Sequence, residues 1–366
     1  MNVLISEIIE CIEKFAPVQL QENYDNAGLV VGAPNKILTG VLLCVDSTEE
    51  IIDEAINKNC NLVIAHHPII FNGIKKLNGK NYIERTIIKA IKNDISIYVA
   101  HTNLDNLADG VNKKIADKLG LNNINILRPK LNQLRKLVTF CPAEHAEKLR
   151  EKIFEAGAGH IGNYDSCSFN VNGEGTFRGN EKTKPFVGKK EELNKENEIR
   201  IETIFPFTKQ KTVLNALISN HPYEEVAYDV YPLDNEYAKI GSGAIGDLDV
   251  PMSEVEFLGF LKKAMNTPII RHTKFLHKPI QKISICGGSG SFLLQDAISK
   301  GADVFITADF KYHDFFDADN KIIIADIGHY ESEQFTVEIF EELIENNFSD
   351  IPVFIAQTET NPVLYF

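Results

Sequence analysis

Short apolar runs alternate with amphipathic stretches along the first third of the chain. The apolar runs at residues 41–45, 62–65 and 95–100 predict buried strands. The stretches between them, residues 49–58 and 82–93, have a helix-like pattern of apolar and polar positions. Strands that alternate with helices are typical of a layered α/β domain with a mostly parallel sheet.

The last third of the chain shows the same alternation. It predicts strands at residues 283–286, 304–307 and 322–327, and helices at residues 292–300 and 333–346. Because both ends of the chain share this pattern, we expect them to form the two halves of one α/β domain with a mostly parallel sheet.

The middle third has a different order of elements. Strands are predicted at residues 137–141, 166–171, 198–205 and 226–231, and helices at residues 143–156 and 209–219. This β-α-β-β-α-β order is that of the ferredoxin-like α+β motif. Between its two central strands, the Gly-, Lys- and Glu-rich residues 173–197 predict a long exposed loop. The predicted domains are residues 1–132 (first half of the α/β domain), 133–235 (the inserted ferredoxin-like domain) and 236–366 (second half of the α/β domain).

The charge of the chain narrows the classes of partner. Its 366 residues include 51 acidic and 38 basic side chains, which gives a net charge of −13. A surface this negative repels phosphodiester backbones and anionic lipids, so we expect neither direct nucleic-acid binding nor membrane binding. Glu7 and Glu10 interrupt the first apolar stretch, which also lacks the basic region of a signal peptide. The six cysteines include no CxxC pair, so we expect a cytoplasmic protein without disulfides.

Three segments place metal-binding types of side chain directly after a predicted strand. They begin at His66, at His101 and at His329. In parallel α/β sheets, ligands bind outside the carboxyl ends of the strands, so these segments are expected to meet. Imidazoles and carboxylates are suitable ligands for divalent transition metals. The sequence therefore predicts a pair of divalent cations held by five residues: His66, His67, Asp105, His329 and Glu333.

The spacing within these segments fits two cations better than one. Adjacent residues of an extended strand face opposite ways, so His66 and His67 are expected to turn towards different ions. His329 and Glu333 are four residues apart, which puts them on one face of a helix. Because a carboxylate has two oxygens, Glu333 is suited to bridge both ions.

A glycine-rich segment, residues 287–291, lies between a predicted strand and a predicted helix. The backbone N–H groups of such a loop can hold a phosphate. A tight turn from strand to helix explains the glycines equally well. The sequence leaves both alternatives open.

Seven segments, taken in order, resemble the Nif-three-like family, whose members are labelled GTP cyclohydrolase 1 type 2 homologues. The segments are residues 24–29, 66–68, 101–105, 109–112, 287–291, 307–313 and 328–333. Residues 221–228 are similar to the PII/CutA-like domain that is inserted in the long form of this family. The resemblance thus implies a PII/CutA-like fold for the inserted domain and a homohexamer for the assembly.

The resemblance also implies roles for individual residues. One ion would be held by His67 and Asp105, the other by His66 and His329, with Glu333 touching both. His101 would be a further ligand or a proton shuttle, which makes His101 and Glu333 the implied catalytic residues. Three more residues would support the ligands or contact the substrate: Asp46, Asp309 and His313. Ala308 stands where the family usually has glycine.

The implied activity is that of a metal-dependent hydrolase acting on a small molecule. Metal-bound hydroxide would attack a nucleotide or related substrate, and the family label points to C8 of the guanine ring of GTP. The two cations would be zinc, iron or manganese. The alternative is a non-enzymatic metal-binding protein that regulates or delivers metal, with the inserted domain sensing a small ligand. A third hypothesis, a transcription-associated interaction protein, rests on the family name alone.

Overall fold

The computed structural model describes residues 3–366, which form two compact units. The first unit consists of the residues up to Pro129 together with Ala238–Phe366, and the second is Lys130–Tyr237. No helix within residues 3–366 has the length and apolar character needed to cross a lipid bilayer.

The described residues form fifteen strands and eleven α-helices. The strands are β1 (Gly28–Val31), β2 (Val41–Cys44), β3 (Leu62–Ala65), β4 (Ser96–Val99), β5 (Asn122–Pro129), β6 (Leu134–Pro142), β7 (Phe169–Phe177), β8 (Asn194–Pro206), β9 (Tyr228–Leu233), β10 (Gly241–Met252), β11 (Arg271–His272), β12 (Ile280–Ser289), β13 (Val304–Ala308), β14 (Ile323–Asp326) and β15 (Val353–Ile355). The α-helices are α1 (Ile5–Phe15), α2 (Glu49–Asn57), α3 (Tyr82–Lys92), α4 (Thr102–Asp105), α5 (Val111–Lys118), α6 (Ala146–Glu155), α7 (Gln210–Asn220), α8 (Glu254–Ala264), α9 (Leu294–Ser299), α10 (His329–Glu333) and α11 (Thr336–Asn347).

The first sheet of the large unit has the strand order β1-β4-β3-β2-β15. Strands β2, β3, β4 and β15 are parallel, and β1 pairs antiparallel with β4. Every residue of β2, β3 and β4 is buried, as expected for parallel strands covered on both faces. The strands predicted from the apolar runs of the first third are therefore confirmed.

The second sheet of the large unit has the order β11-β14-β13-β12-β10-β5. Its central strands β12, β13 and β14 are parallel, but β5, β10 and β11 pair antiparallel with their neighbours. The prediction of one mostly parallel sheet fits the first sheet and is wrong for the second, because β5 and β10 were missed. Strand β10 contains three glycines, which resemble turn signals in the sequence. In the structure they allow close packing: a Cβ on Gly241 would lie 2.3 Å from the carbonyl oxygen of Arg128 on β5.

The helix α1 was also missed by the sequence analysis. Its buried residues Ile5, Ile8 and Ile12 are spaced as one face of a helix requires. Glu7 and Glu10, which interrupt the apolar stretch, are exposed positions of this helix, as is Lys14. The Glu7 carboxylate accepts a hydrogen bond from the Leu4 N–H at 2.7 Å and so caps the helix start.

The second unit has the element order β6-α6-β7-β8-α7-β9, which confirms the order predicted from the sequence. Its antiparallel sheet has the strand order β7-β8-β6-β9. Both helices pack on one face of this sheet. The apolar cluster between them and the sheet includes Leu137, Cys141, Leu149, Ile153, Ile201, Phe205, Val213 and Leu217.

The long loop predicted at residues 173–197 is shorter in the structure. Strand β7 continues to Phe177 and β8 begins at Asn194, so only residues 178–193 lie outside the strands. The two strands pair in register as far as Phe177 and Asn194. Backbone hydrogen bonds form this ladder, so glycine-rich and charged side chains that disfavour a strand do not prevent it. An ion pair of 2.8 Å between Lys195 and Glu174 joins the two strands.

Candidate metal centre

The three segments that follow predicted strands meet in the large unit. His66 and His67 directly follow β3, and His101 lies two residues beyond β4, just before α4. His329 and Glu333 are the first and last residues of α10, which follows β14. Because β3 and β4 belong to the first sheet and β14 to the second, the cluster lies where strand ends of both sheets face each other.

A glycine sets the direction of α10. Gly328 precedes the helix with φ of +94°, a conformation that side chains other than glycine rarely adopt. A Cβ at this position would lie 2.2 Å from the Glu331 carboxylate. The turn lets the chain leave β14 and present His329 and Glu333 to the cluster.

Glu333 is the centre of the cluster, and only 3% of its side chain is exposed. Its Oε2 lies 2.8 Å from His67 Nε2 and 3.1 Å from His329 Nε2, and these two nitrogens are 3.2 Å apart. Its Oε1 lies 3.7 Å from His66 Nε2, which is 3.6 Å from Asp105 Oδ1. The two oxygens of one carboxylate therefore face two different groups of donor atoms.

This grouping differs from the pairing implied by the resemblance. In the two groups that contain Glu333, His66 and His67 are separated, as expected from their adjacent positions. However, His67 lies with His329, and His66 lies with Asp105. A third possible group brings His101 together with His66 and His67.

Each of the four histidines has its Nδ1 atom held by an oxygen. The bonds join His66 to the Ala100 carbonyl (2.9 Å), His67 to Asp46 (2.8 Å), His101 to Asp25 (2.8 Å) and His329 to Asp309 (2.6 Å). In each pair the Nδ1–H donates, which leaves Nε2 as the atom available to a metal. Partners of this kind fix the ring orientation and tautomer of histidines that bind metals.

The residues present fit divalent cations. His66 Nε2 and Asp105 Oδ1 are buried, and within residues 3–366 neither has a hydrogen-bond partner. Such a buried polar atom is costly unless another species satisfies it. Ligands at 2.0–2.1 Å around a tetrahedral ion are about 3.3 Å apart. The separations of 2.8–3.7 Å within the two groups bracket this value.

The carboxylates around the cluster favour positive charge on its imidazoles. Burial lowers the pKa of His67, but hydrogen bonds to Asp46 and Glu333 outweigh burial and raise it to about 10. Burial also lowers the pKa of His329, whereas bonds to Asp309 and Glu333 raise it to about 11. Burial raises the pKa of Glu333, and the surrounding imidazoles reverse this and hold it well below its ordinary value. The surroundings thus stabilise positive charge, which protons or a metal cation can supply.

Asp25 is a member of the site to which sequence reasoning gave no role. Burial raises its pKa, but hydrogen bonds from His101 and Thr102 reverse this and lower it to about 2. The carboxylate therefore stays ionised and orients the His101 ring. The only signal in the sequence was that Asp25 lies within residues 24–29, one of the segments that resemble the family.

The glycine-rich segment supports the site as a tight turn. The Gly287 N–H donates to Asn112 Oδ1 at 3.0 Å, and the Gly288 N–H donates to Ser332 Oγ at 2.9 Å. A Cβ on Gly288 would lie 2.4 Å from Glu333 Oε1. Because the Gly287 and Gly288 N–H groups already have partners, these two groups are not available to a phosphate.

Of the three residues implied to support the site, two do so. Asp46 and Asp309 hold His67 and His329, as described above. His313 instead lies against the rings of Tyr312 and Phe316, and it does not line the cavity around the cluster.

A cavity of about 430 Å³ opens onto the cluster. Its lining includes His67, His101, Asp105, His329 and Glu333, together with the partly exposed aromatic rings of Tyr24, Phe71 and Phe292. This is the size range of small-molecule sites, so a small organic ligand can reach the donor atoms.

Replacing Asp46 by alanine is expected to weaken metal binding without abolishing it. The variant removes the acceptor of His67 Nδ1, and loss of such a partner typically lowers metal affinity about 10–100-fold. Competition with a chromophoric chelator measures the affinity. Asp53→Ala is the matched control, because Asp53 is exposed and pairs with Lys89. Equal affinities for the two variants would show that Asp46 does not position His67.

Comparisons with known proteins extend over almost the full chain. The sequence profile of Duf34/NIF3 (NGG1p interacting factor 3) matches residues 3–362. A protein of Halalkalibacterium halodurans named GTP cyclohydrolase 1 type 2 homolog is 41% identical over 363 residues, 98% of each chain. The protein of the same name from Bacillus subtilis is 37% identical over 365 residues, again 98% of each chain. The crystal structure of a Bacillus cereus protein related to NIF3 has a TM-score of 0.87 and 38% identity, with 100% of both chains covered. The resemblance noted in the sequence is thereby confirmed, and the chain belongs to the Duf34/NIF3 family.

Proposed function

We propose that this chain binds two divalent cations and is a metal-dependent hydrolase of a nucleotide or a related small molecule. The observation that supports this most strongly is the convergence of histidine Nε2 atoms, each with Nδ1 held, around the two oxygens of Glu333. One cation would be held by His67, His329 and Glu333 Oε2, the other by His66, Asp105 and Glu333 Oε1. Two such cations would lower the pKa of a bound water, so that hydroxide is available near neutral pH. They would also stabilise negative charge on the attacked group.

The donor atoms narrow the choice of metal. The groups contain imidazole nitrogens and carboxylate oxygens, which suit zinc, iron or manganese. Cys286 lines the same cavity, but burial raises the pKa of its thiol far above neutrality. The thiol belongs to none of the groups of donor atoms found within residues 3–366, so it is not one of the proposed ligands.

His101 is suited to move a proton during the reaction. Its ring lines the cavity, and the ionised Asp25 holds Nδ1, so Nε2 is free to accept or donate a proton. Its ring centroid is 5.3 Å from that of His66 and 5.5 Å from that of His67, close to both proposed cations. We therefore propose His101 as the proton shuttle and Glu333 as the bridging ligand on which the reaction depends.

The names of the relatives point to GTP as the first substrate to test. The protein loaded with zinc, iron or manganese is incubated with GTP, and formate and the ring-opened nucleotide are measured. The proposal expects both products from the wild-type protein and neither from Glu333→Ala. If no formate forms, ring opening of GTP is excluded, and a panel of nucleotides, phosphoesters and amides then tests hydrolysis more broadly.

A metal-delivery or regulatory role is the second candidate. It is favoured by the exposure of His329, whose side chain is 39% accessible, because an exposed ligand lets a cation exchange with solvent. This function predicts fast exchange of the bound metal with a chelator and no turnover of any member of the substrate panel.

We also propose the finer features implied by the family resemblance. The second unit would be a PII/CutA-like domain, supported by its order of strands and helices. The chain would assemble as a homohexamer, which light scattering coupled to gel filtration tests directly. A cytoplasmic location is supported by the six free cysteines, none of which is paired.

Metal binding is expected to release protons near neutral pH. The pKa of His67, about 10, and that of His329, about 11, lie above the ordinary value of 6.5, so both rings are protonated before they bind a cation. Each must lose the Nε2 proton to become a ligand, and the metal affinity therefore rises with pH. Calorimetric titration of zinc in two buffers of different ionisation enthalpy measures the release. Identical apparent enthalpies in both buffers would contradict it.

A further inference from the structure

A second cavity, of about 590 Å³, lies within Lys130–Tyr237. The helices α6 and α7 pack on the sheet face that contains Cys141 and Ile201. Their chain neighbours Phe140 and Arg200, which pair with each other across β6 and β8, lie on the opposite face. Both line the cavity, so it lies over the face of the sheet that the helices leave open.

Glycines on β7 provide the space of this cavity. Gly173 and Gly175 are two residues apart, so they lie on the same face of the strand, and both line the cavity. A Cβ on Gly173 would meet no atom within 4 Å. A Cβ on Gly175 would lie 2.1 Å from Glu198 Oε2, so the Glu198 carboxylate occupies the place of a side chain.

Three aromatic rings line the cavity and are tilted relative to one another. The ring centroids of Phe177 and Phe186 lie 6.4 Å and 6.3 Å from that of Tyr223, and each plane is tilted by 50° to the tyrosine ring. A flat aromatic ligand stacks best between nearly parallel rings. Inclined rings instead suit a rounded group such as an alkylated ammonium, which binds to the faces of aromatic rings.

The tyrosine and the carboxylate are fixed before any ligand binds. The Tyr223 hydroxyl donates to Glu198 Oε1 at 2.7 Å. The Tyr223 N–H donates to His221 Nδ1 at 3.1 Å, and His221 Nε2–H donates to the Phe140 carbonyl at 2.8 Å. A site held in this way loses little conformational entropy when it binds a ligand.

The charges around the cavity favour a cation. Four glutamates and two arginines line it: Glu174, Glu198, Glu224, Glu225, Arg178 and Arg200. Ion pairs offset two of these charges, because Arg200 pairs with Glu202 at 2.9 Å and Glu174 pairs with Lys195 at 2.8 Å. Three glutamates then remain against Arg178. We propose that this cavity binds an organic cation, whose ammonium group is enclosed by the rings of Phe177, Phe186 and Tyr223 and faces Glu198.

Choline and its neutral carbon analogue, in which a carbon atom replaces the nitrogen, test this proposal on the full chain. Ligand-observed NMR titration gives the dissociation constant of each probe. The neutral analogue should bind about tenfold more weakly, because the two probes have the same shape and differ in charge. Glu198→Gln keeps an acceptor for Tyr223 and should weaken choline binding several-fold. Tyr223→Leu removes one of the three aromatic rings and should abolish choline binding.

The control is Glu151→Gln, which removes the same charge from an exposed position on α6. This variant should bind choline as the wild-type protein does. Equal affinity for choline and its neutral analogue would overturn the proposal. So would unchanged choline binding by Glu198→Gln, or displacement of choline by ATP, which would indicate a nucleotide site instead.

Discussion

Replacing Glu333 by alanine is expected to remove both cations from the protein. Its two oxygens face the two groups of donor atoms, and within residues 3–366 it is the side chain that these two groups share. Loss of a supporting partner typically costs about 10–100-fold in metal affinity, and loss of this shared ligand should exceed about 100-fold at each site. Elemental analysis after dialysis measures the metal-to-protein ratio, which should fall from two to near zero.

The matched control for this variant is Glu345→Ala. It removes the same charge from an exposed position on α11 and should keep both cations. Circular dichroism of both variants checks that the fold is retained. A folded Glu333→Ala protein that still holds two cations would refute the bridging role of this carboxylate.

A double variant distinguishes the grouping seen in the structure from the pairing implied by the family. His66 and Asp105 belong to the same group, so replacing both by alanine should remove one cation and leave the group of His67 and His329 intact. Under the implied pairing, His66 and Asp105 hold different ions, and the same variant would lose both. The ratio of metal to protein, expected to be one, decides between them.

Replacing His67 and Asp105 together provides the complementary test, because these two residues hold the same ion under the implied pairing. These two residues lie in different groups, so this variant is expected to lose both cations. If it retained one cation while the first double variant lost both, the grouping derived from the structure would be wrong.

The histidines of the site could be predicted because they follow the strongest signals in the sequence. The residues of β3, β4 and β14 are all buried, so these strands appear as apolar runs, and the polar side chains at their ends stand out. His329 and Glu333 were placed on one helix face by their spacing alone, and α10 has these bounds.

The other features of the site and of the fold depend on contacts between residues that are distant in the sequence, and no local pattern predicts such contacts. Asp25 lies in a segment before β1 without strand or helix periodicity, and it reaches His101 across 76 positions of the chain. Strand β14 pairs with β13 and β11 and so lies in a different sheet from β3, and that sheet also includes β10, whose three glycines are typical of turns. The assignment of His67 and His329 to one group and of His66 and Asp105 to the other depends on this arrangement of the sheets. The spacing of these residues along the chain could therefore not predict it.

The cluster around Glu333 is proposed to bind a pair of divalent cations. Elemental analysis of protein purified without chelators tests it most directly, since it requires neither a substrate nor a variant. We predict two transition-metal ions per chain. Protein that is folded and contains no bound transition metal, even after incubation with zinc, iron or manganese, would contradict the account.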